Sequence, residues 1–276
     1  MKFGFMTLDF KRLPLEHVFK LGREYGFDGV EIFCNRNHLF LPGFTAEKAR
    51  AIRELKKKYD LETPMLTPNT LGKEVNICSS DPEERRDGIT LLKQGIDAAE
   101  MIEAPQMLVT ADHPGYFRER EEIWSVLVES MAEICDYACG KGVRVVMEPV
   151  TPMESPVVTT SQDCSRLIRD VNSPALYAML DIVPPVVVHE PFSQYFELLG
   201  DRLSYIHICN TDGVTDAHIR LETGVYPIPD VINVFKHHRY EGYVTTELYS
   251  ENYRDPELLL ANTARVLRGI REEIKV

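Results

Sequence analysis

Short apolar runs alternate with amphipathic runs along the 276-residue chain, and this alternation limits the possible folds more than any other feature. The apolar runs are rich in Val, Ile, Leu, Met and Phe, which is typical of strands buried on both faces of a parallel sheet. The runs between them, such as residues 45–59 and 82–102, carry apolar residues at helical spacing. The predicted strands are residues 2–7, 28–34, 63–67, 106–110, 144–148, 176–182, 203–209 and 243–248.

Capping residues support the same order of elements. Gly26 and Gly142 each precede a predicted strand, as helix-terminating glycines do. Asp81-Pro82 and Asp255-Pro256 place an N-cap aspartate before a proline of the first helical turn. No low-complexity segment divides the chain, so we expect one domain over residues 1–276, an α/β protein with eight βα units closed into a (β/α)8 TIM barrel. The alternative, an open doubly wound sheet, is disfavoured because the chain has no Gly-x-Gly-x-x-Gly loop.

Charge and cysteine content exclude several classes of function. The formal net charge of −12 argues against nucleic acid and anionic membranes as partners. No apolar run approaches the ~20 residues of a membrane span, and the segment from Lys2 to Thr7 resembles a strand and not a signal peptide. The six cysteines form no Cys-x-x-Cys pair, so we expect reduced thiols and a cytoplasmic location.

Four successive predicted strands end in a side chain that commonly binds metal ions. These residues are Glu148, Asp181, His207 and Glu247. Because the carboxyl ends of neighbouring barrel strands meet at one mouth, we expect the four side chains to converge. Taken singly, each is also typical of a loop carboxylate, a capping aspartate or a hydrogen-bonded core histidine. The joint pattern favours one divalent cation: Mn²⁺, Mg²⁺ or Co²⁺ suits the oxygen ligands, and the imidazole also allows Zn²⁺ or Ni²⁺.

This set of ligands favours acid–base chemistry on a sugar. Two glutamates on opposite sides of a bound sugar can exchange a proton with the same carbon from opposite faces. A cation that holds the carbonyl oxygen and the neighbouring hydroxyl would stabilise the enediolate that forms between the two transfers.

Several phrases resemble those of a known protein family. They are Arg12–His17, Glu148–Ser155, Glu190-Pro191 followed by Ser193–Phe196, and Tyr240–Tyr243; the most specific is Glu-Pro-x-Thr-Pro-x-Glu-Ser at Glu148–Ser155. Over its whole length the chain resembles the xylose-isomerase-like barrels of the sugar isomerase/epimerase and endonuclease IV superfamily. The resemblance is closest to the fructoselysine 3-epimerases and more distant to the D-tagatose 3-epimerases.

The resemblance implies roles for individual residues. Glu148, Asp181, His207 and Glu247 match the metal ligands, and the two glutamates among them match the catalytic acid–base pair. Glu154 matches a glutamate that contacts the substrate near the reacting hydroxyls, although an exposed loop acid is the simpler interpretation of that residue. We expect His113, after the fourth strand, to line the sugar pocket.

Departures from the family pattern limit the number of metal ions. Pro184 stands where many superfamily members have a histidine, and the third strand ends in Leu66-Thr67-Pro68 without a zinc-binding histidine. Asp216 and His218 match the Asp-x-His pair of endonuclease IV, but a third zinc ion would lack its partner, so one cation is expected. The arginine of tagatose epimerase has no certain counterpart, and His218 or Arg220 could take its place as a substrate-binding residue.

The combined prediction is a metal-dependent isomerase that epimerises a ketose-type sugar, with a fructoselysine-like substrate favoured. An inosose-type dehydratase on the same barrel is the main alternative. An endonuclease IV-like metal hydrolase is disfavoured by the acidic charge and the missing zinc histidines. We expect a small-molecule sugar as the partner. The identities of the sugar and the metal and the oligomeric state, for which a homo-oligomer is one candidate, stay open.

Overall fold

The computed structural model describes residues 1–249 and 255–274, in which eight parallel strands close into a barrel as β1 pairs with β8. The (β/α)8 prediction is therefore confirmed. The strands are β1 Lys2–Met6, β2 Gly29–Phe33, β3 Leu66–Thr67, β4 Gln106–Thr110, β5 Arg144–Glu148, β6 Leu176–Asp181, β7 Leu203–Ile208 and β8 Tyr243–Thr246. The α-helices are α1 Leu15–Tyr25, α2 Ala46–Tyr59, α3 Pro82–Ile102, α4 Arg120–Cys139, α5 Ser161–Val171, α6 Val183–Val187, α7 Phe192–Leu199, α8 Ile228–His237 and α9 Pro256–Ile274.

The helix boundaries follow from local capping chemistry. The Asp81 side chain accepts hydrogen bonds from two backbone N–H groups at the start of α3, and the Asp255 side chain accepts one, 3.0 Å long, at the start of α9. Gly26 ends α1 in the left-handed conformation, with φ 81°, which glycine adopts without a steric penalty. The short helix α6, which contains two prolines in its first turn, was not predicted from the sequence.

The barrel interior is filled in two layers because side chains alternate along each strand. The lower layer is apolar and aromatic: Met65, Leu108, Val146, Met179, Tyr205 and Tyr243. Two residues farther along the same strands, the side chains become polar: Thr67, Thr110, Glu148, Asp181, His207 and Thr245. The polar layer thus lies on an apolar plug at the carboxyl ends of the strands, where it faces the mouth of the barrel.

The strand register places candidate site residues side by side. Asp181 on β6 pairs with His207 on β7, after an irregularity between Ala178 and Met179. A second core, between the sheet and the surrounding helices, holds the barrel in this register. No helix within the described ranges combines the length and apolar character that a membrane span requires.

Candidate active site

A buried imidazole at the end of β7 connects carboxylates from three other parts of the barrel. His207 Nδ1 lies 2.9 Å from Glu148 Oε1 and 2.8 Å from Glu247 Oε2. On the other side of the ring, Nε2 lies 2.9 Å from Glu31 Oε2. The ligand atoms of Glu148, His207 and Glu247 all lie within 4.8 Å of one another. Three of the four predicted metal ligands are therefore in one group.

Glu31 is a site residue that the sequence analysis missed. It lies on β2, is 0% exposed, and accepts a 2.5 Å hydrogen bond from the Thr67 hydroxyl. A carboxylate beside Nε2 favours a proton on that nitrogen, which would leave Nδ1, next to the two glutamates, as the nitrogen available to a metal ion. The available signal was a single charged residue inside an otherwise apolar strand, Gly-Val-Glu-Ile-Phe.

Asp181, the fourth predicted ligand, lies in an adjoining group with Cys209 and His218. The ligand atoms of these three residues also lie within 4.8 Å of one another, and Asp181 Oδ2 is 2.9 Å from His218 Nε2. The two groups meet where His218 Nε2 is 3.7 Å from Glu247 Oε2. Asp181 Oδ1 also accepts a hydrogen bond from the backbone N–H of Val183, which agrees with the capping alternative.

Glu154 is held on the loop after β5 next to a second carboxyl group. Its Oε2 accepts hydrogen bonds from the backbone N–H and the hydroxyl of Thr151, at 3.0 and 3.1 Å. Burial, together with repulsion from the Asp216 carboxylate, raises the pKa of Glu154 to about 8. Asp216 is itself bound by the Tyr249 hydroxyl, and its backbone carbonyl lies 3.2 Å from His218 Nδ1. Glu154 and His218 therefore both lie next to Asp216.

The other two predicted substrate-binding residues lie on separate loops. His113 Nδ1 accepts a hydrogen bond from the backbone N–H of Gly115, and its ring packs 4.6 Å from the ring of Tyr116. Arg220 is half-buried on the loop after β7, and its backbone carbonyl accepts from Thr223. Among the described residues, neither belongs to the two groups of close ligand atoms.

The loop that carries Asp216 and His218 is shaped by Asn210. The Asn210 side-chain amide donates to the backbone carbonyls of Leu221 and Tyr226, at 3.2 and 2.8 Å. Gly224 packs directly against this amide with φ 129°, so that a Cβ at this position would collide with Asn210 Oδ1. The return of the loop to the barrel therefore requires a glycine.

Burial and charge give the two site glutamates opposite pKa shifts. Burial raises the pKa of Glu148 to about 8, against the opposing effect of His207. Burial also acts to raise the pKa of Glu247, but His207 and His218 outweigh it and hold the pKa below its usual range. Burial disfavours the charged form of His207, yet Glu31 and Glu247 raise its pKa well above the usual value. Opposite shifts in a carboxyl pair are the pattern that separates a general acid from a general base.

The donor set is chemically suited to a divalent cation. Carboxylate oxygens and one imidazole nitrogen converge from Glu148, His207 and Glu247, with the Asp181 group alongside. The other ring nitrogen of His207 already faces a carboxylate, which is the usual arrangement behind a metal-bound histidine. The residues present therefore fit the predicted cation, and the donor types admit several metals.

The chain is similar to known proteins over nearly its full length. Residues 19–270 match the model of the Xylose isomerase-like TIM barrel family. A curated relative, the fructoselysine 3-epimerase of Shigella flexneri, is 35% identical over 273 residues, which cover 99% of each chain. Among solved structures, a D-tagatose 3-epimerase-like protein has a TM-score of 0.84 at 19% identity, covering 100% of this chain and 98% of that one. The IOLI protein, solved with a bound zinc atom, has a TM-score of 0.83 at 17% identity, covering 99% of each chain.

Proposed function

The chain belongs to the Xylose isomerase-like TIM barrel family and is an isomerase-class enzyme, and from that premise we propose that it is a metal-dependent ketose 3-epimerase. The favoured substrate is an amine-linked ketose of the fructoselysine type, because two full-length relatives carry the name fructoselysine 3-epimerase. The observation that carries the proposal is the pair formed by Glu148 and Glu247 around one imidazole nitrogen.

The two glutamates come from strands that β6 and β7 separate around the barrel. We expect the sugar to lie at the barrel mouth over these carboxyl groups, with one glutamate directed to each face of C3. Glu247, whose pKa is lowered, removes the C3 proton from one face, and Glu148, whose pKa is raised to about 8, returns a proton to the other. In the reverse reaction the two residues exchange roles.

The metal ligands in this proposal are Glu148, Asp181, His207 and Glu247. When bound, a divalent cation supplies a Lewis acid that withdraws electrons from the C2 carbonyl and makes the neighbouring C3–H more acidic. Glu31 orients His207, and the apolar layer below the site excludes water from the floor of the barrel.

Four further residues are proposed to bind the sugar hydroxyls. Glu154 and His218 lie next to Asp216, while His113 and Arg220 lie on the loops after β4 and β7. Loss of one such contact to a sugar hydroxyl should cost about 1–3 kcal/mol of transition-state binding. Glu154→Gln should therefore lower kcat/KM while the metal content stays near one ion per chain.

Proton NMR in D₂O, with a panel of free and amine-linked ketoses, tests the function. A 3-epimerase exchanges the C3 proton for deuterium and inverts the configuration at that carbon. Deuterium at C1 alone would indicate an aldose–ketose isomerase, and loss of one water by mass spectrometry would indicate the dehydratase alternative. Treatment with a chelator should abolish the exchange, and addition of Mn²⁺ should restore it.

A further inference from the structure

A groove runs between the loops that follow β4 and β5, beside the candidate active site. It encloses about 540 Å³, within the ~300–1,000 Å³ range of small-molecule sites. Its floor is apolar, formed by Ile123, Trp124 and Val157, each less than a tenth exposed. Tyr116 and Met153 form its rims and are 86% and 54% exposed. A concave site with an apolar floor and a few polar groups at its edge is typical of small-molecule binding.

The groove lies between two loops that start at the level of the proposed catalytic residue Glu148. Thr110, the last residue of β4, pairs in register with Glu148, the last residue of β5, so both loops start beside Glu148. The second loop carries Glu154, whose carboxylate is fixed to Thr151, while neighbouring residues of that loop line the groove. A substituent on a sugar held between Glu148 and Glu247 can therefore leave the barrel mouth along this groove.

The charge of the groove is opposite to that of the protein. The chain has a formal net charge of −12, yet the described groove lining contains two arginines and no carboxylate. Arg118 has a side chain that is only 11% exposed. Its guanidinium donates to the Cys78 carbonyl at 2.8 Å and pairs with Glu122 at 3.2 Å, while its buried Nε has no hydrogen-bond partner among the described residues. Arg120 is 63% exposed and lies 2.8 Å from Asp163. Each guanidinium already pairs with a carboxylate, Glu122 or Asp163, but the described groove lining itself presents positive and no negative side chains, which favours an anion there.

We infer that this groove is a subsite for the non-sugar part of an amine-linked ketose, namely an aliphatic chain that ends in a carboxylate. The apolar floor and rims contact the methylene groups, and Arg118 and Arg120 bind the carboxylate. A phosphate attached directly to the sugar would not use the apolar floor, which is why the groove favours an amino-acid tail. This inference rests on the proposed ketose epimerase function and extends it to the part of the substrate that does not react.

Calorimetric titration of the Mn²⁺-loaded protein tests the subsite with three ligands. Fructoselysine carries the full tail, its analogue made from pentane-1,5-diamine lacks only the carboxylate, and free fructose lacks the tail. We expect fructoselysine to bind about tenfold more tightly than the diamine analogue, and the analogue to bind more tightly than fructose. Arg120→Gln should remove most of the preference for the carboxylate. Met153→Asp should weaken both amine-linked ligands and leave the binding of fructose unchanged.

Arg265→Gln is the matched control, because Arg265 is exposed on α9 and contacts Asn262 outside the groove. This variant should retain the tenfold preference. Equal binding of fructoselysine and the diamine analogue would overturn the subsite. The subsite would also be overturned if Arg120→Gln left ligand binding unchanged and altered only self-association in sedimentation velocity, because the groove rims would then contact a second copy of the chain. The calorimetric titration measures binding and does not depend on turnover. Absence of C3 exchange with every sugar in the NMR experiment would therefore refute the epimerase function independently of the subsite.

Discussion

Replacement of Glu31 by glutamine tests whether the carboxylate behind His207 prepares the imidazole for a metal ion. Glu31 is fully buried, and its two oxygens lie 2.9 and 3.2 Å from His207 Nε2. Glutamine keeps the shape of the side chain but removes its charge. A hydrogen bond to a charged group contributes about 1.5–3 kcal/mol, and loss of an outer carboxylate typically weakens metal binding about 10–100-fold. We therefore expect Glu31→Gln to raise the Kd for Mn²⁺ by one to two orders of magnitude.

The Kd can be measured by titration of the metal-free protein with Mn²⁺, followed by the loss of the free-ion signal in electron paramagnetic resonance. Thr67→Val, which removes the hydroxyl that donates to Glu31 Oε1, should produce a smaller weakening in the same direction. Glu62→Gln is the control, since Glu62 contacts Lys2 and Tyr243 at the opposite end of the barrel. An unchanged Kd for a folded Glu31→Gln protein would refute the orienting role of this carboxylate.

Three further expectations follow from the site and its loops. Glu148→Gln and Glu247→Gln should each lower turnover by ~10²–10⁴-fold and suppress incorporation of solvent deuterium at C3. The metal content of the same samples separates a loss of proton transfer from a loss of metal binding. Near-normal exchange in either variant would show that the residue is not part of the acid–base pair. Gly224→Ala should destabilise the protein by ~1–3 kcal/mol in urea denaturation, because the added Cβ collides with Asn210, whereas Gly269→Ala on α9, with open space around its Cα, should not destabilise it. Burial and Asp216 raise the pKa of Glu154 from 4.5 to about 8, so its neutral form is favoured in the folded state. The stability of the Glu154→Gln protein relative to the unmodified protein should therefore rise as the pH rises from 4.5 to 8. A stability difference between the two proteins that does not change with pH would contradict this.

Much of the fold could be predicted because its signals are local. Apolar runs, N-cap aspartates and helix-terminating glycines depend only on nearby residues, and all eight predicted strands are present within a few residues of their expected bounds. Helix α6 was not predicted because Pro184-Pro185 normally argues against a helix, and prolines are compatible with it only because they occupy the first turn.

The site was predicted in part because its residues lie at strand ends, where the barrel topology defines their position. The sequence does not show which atoms meet. Glu31 belongs to β2 and contacts His207 across 176 positions of sequence, so only the closed barrel reveals the pair. The sequence predicts only that the cysteines are reduced thiols, whereas the structure places Cys209 beside Asp181 and His218. Such contacts depend on side-chain direction inside the barrel, which strand periodicity alone leaves open.

Closure of the barrel between β1 and β8 also determines when the site can exist during synthesis. A nascent chain that has emerged only through β6 contains Glu31 and Glu148 but lacks the His207 imidazole that connects them. Binding of the proposed cation should therefore begin only after β7 and β8 have left the ribosome. From that moment, a cation that binds the closed barrel alone stabilises it by RT ln(1 + [metal]/Kd). The free metal concentration would then influence the fraction of newly made chains that keep a closed barrel, in addition to their rate of turnover.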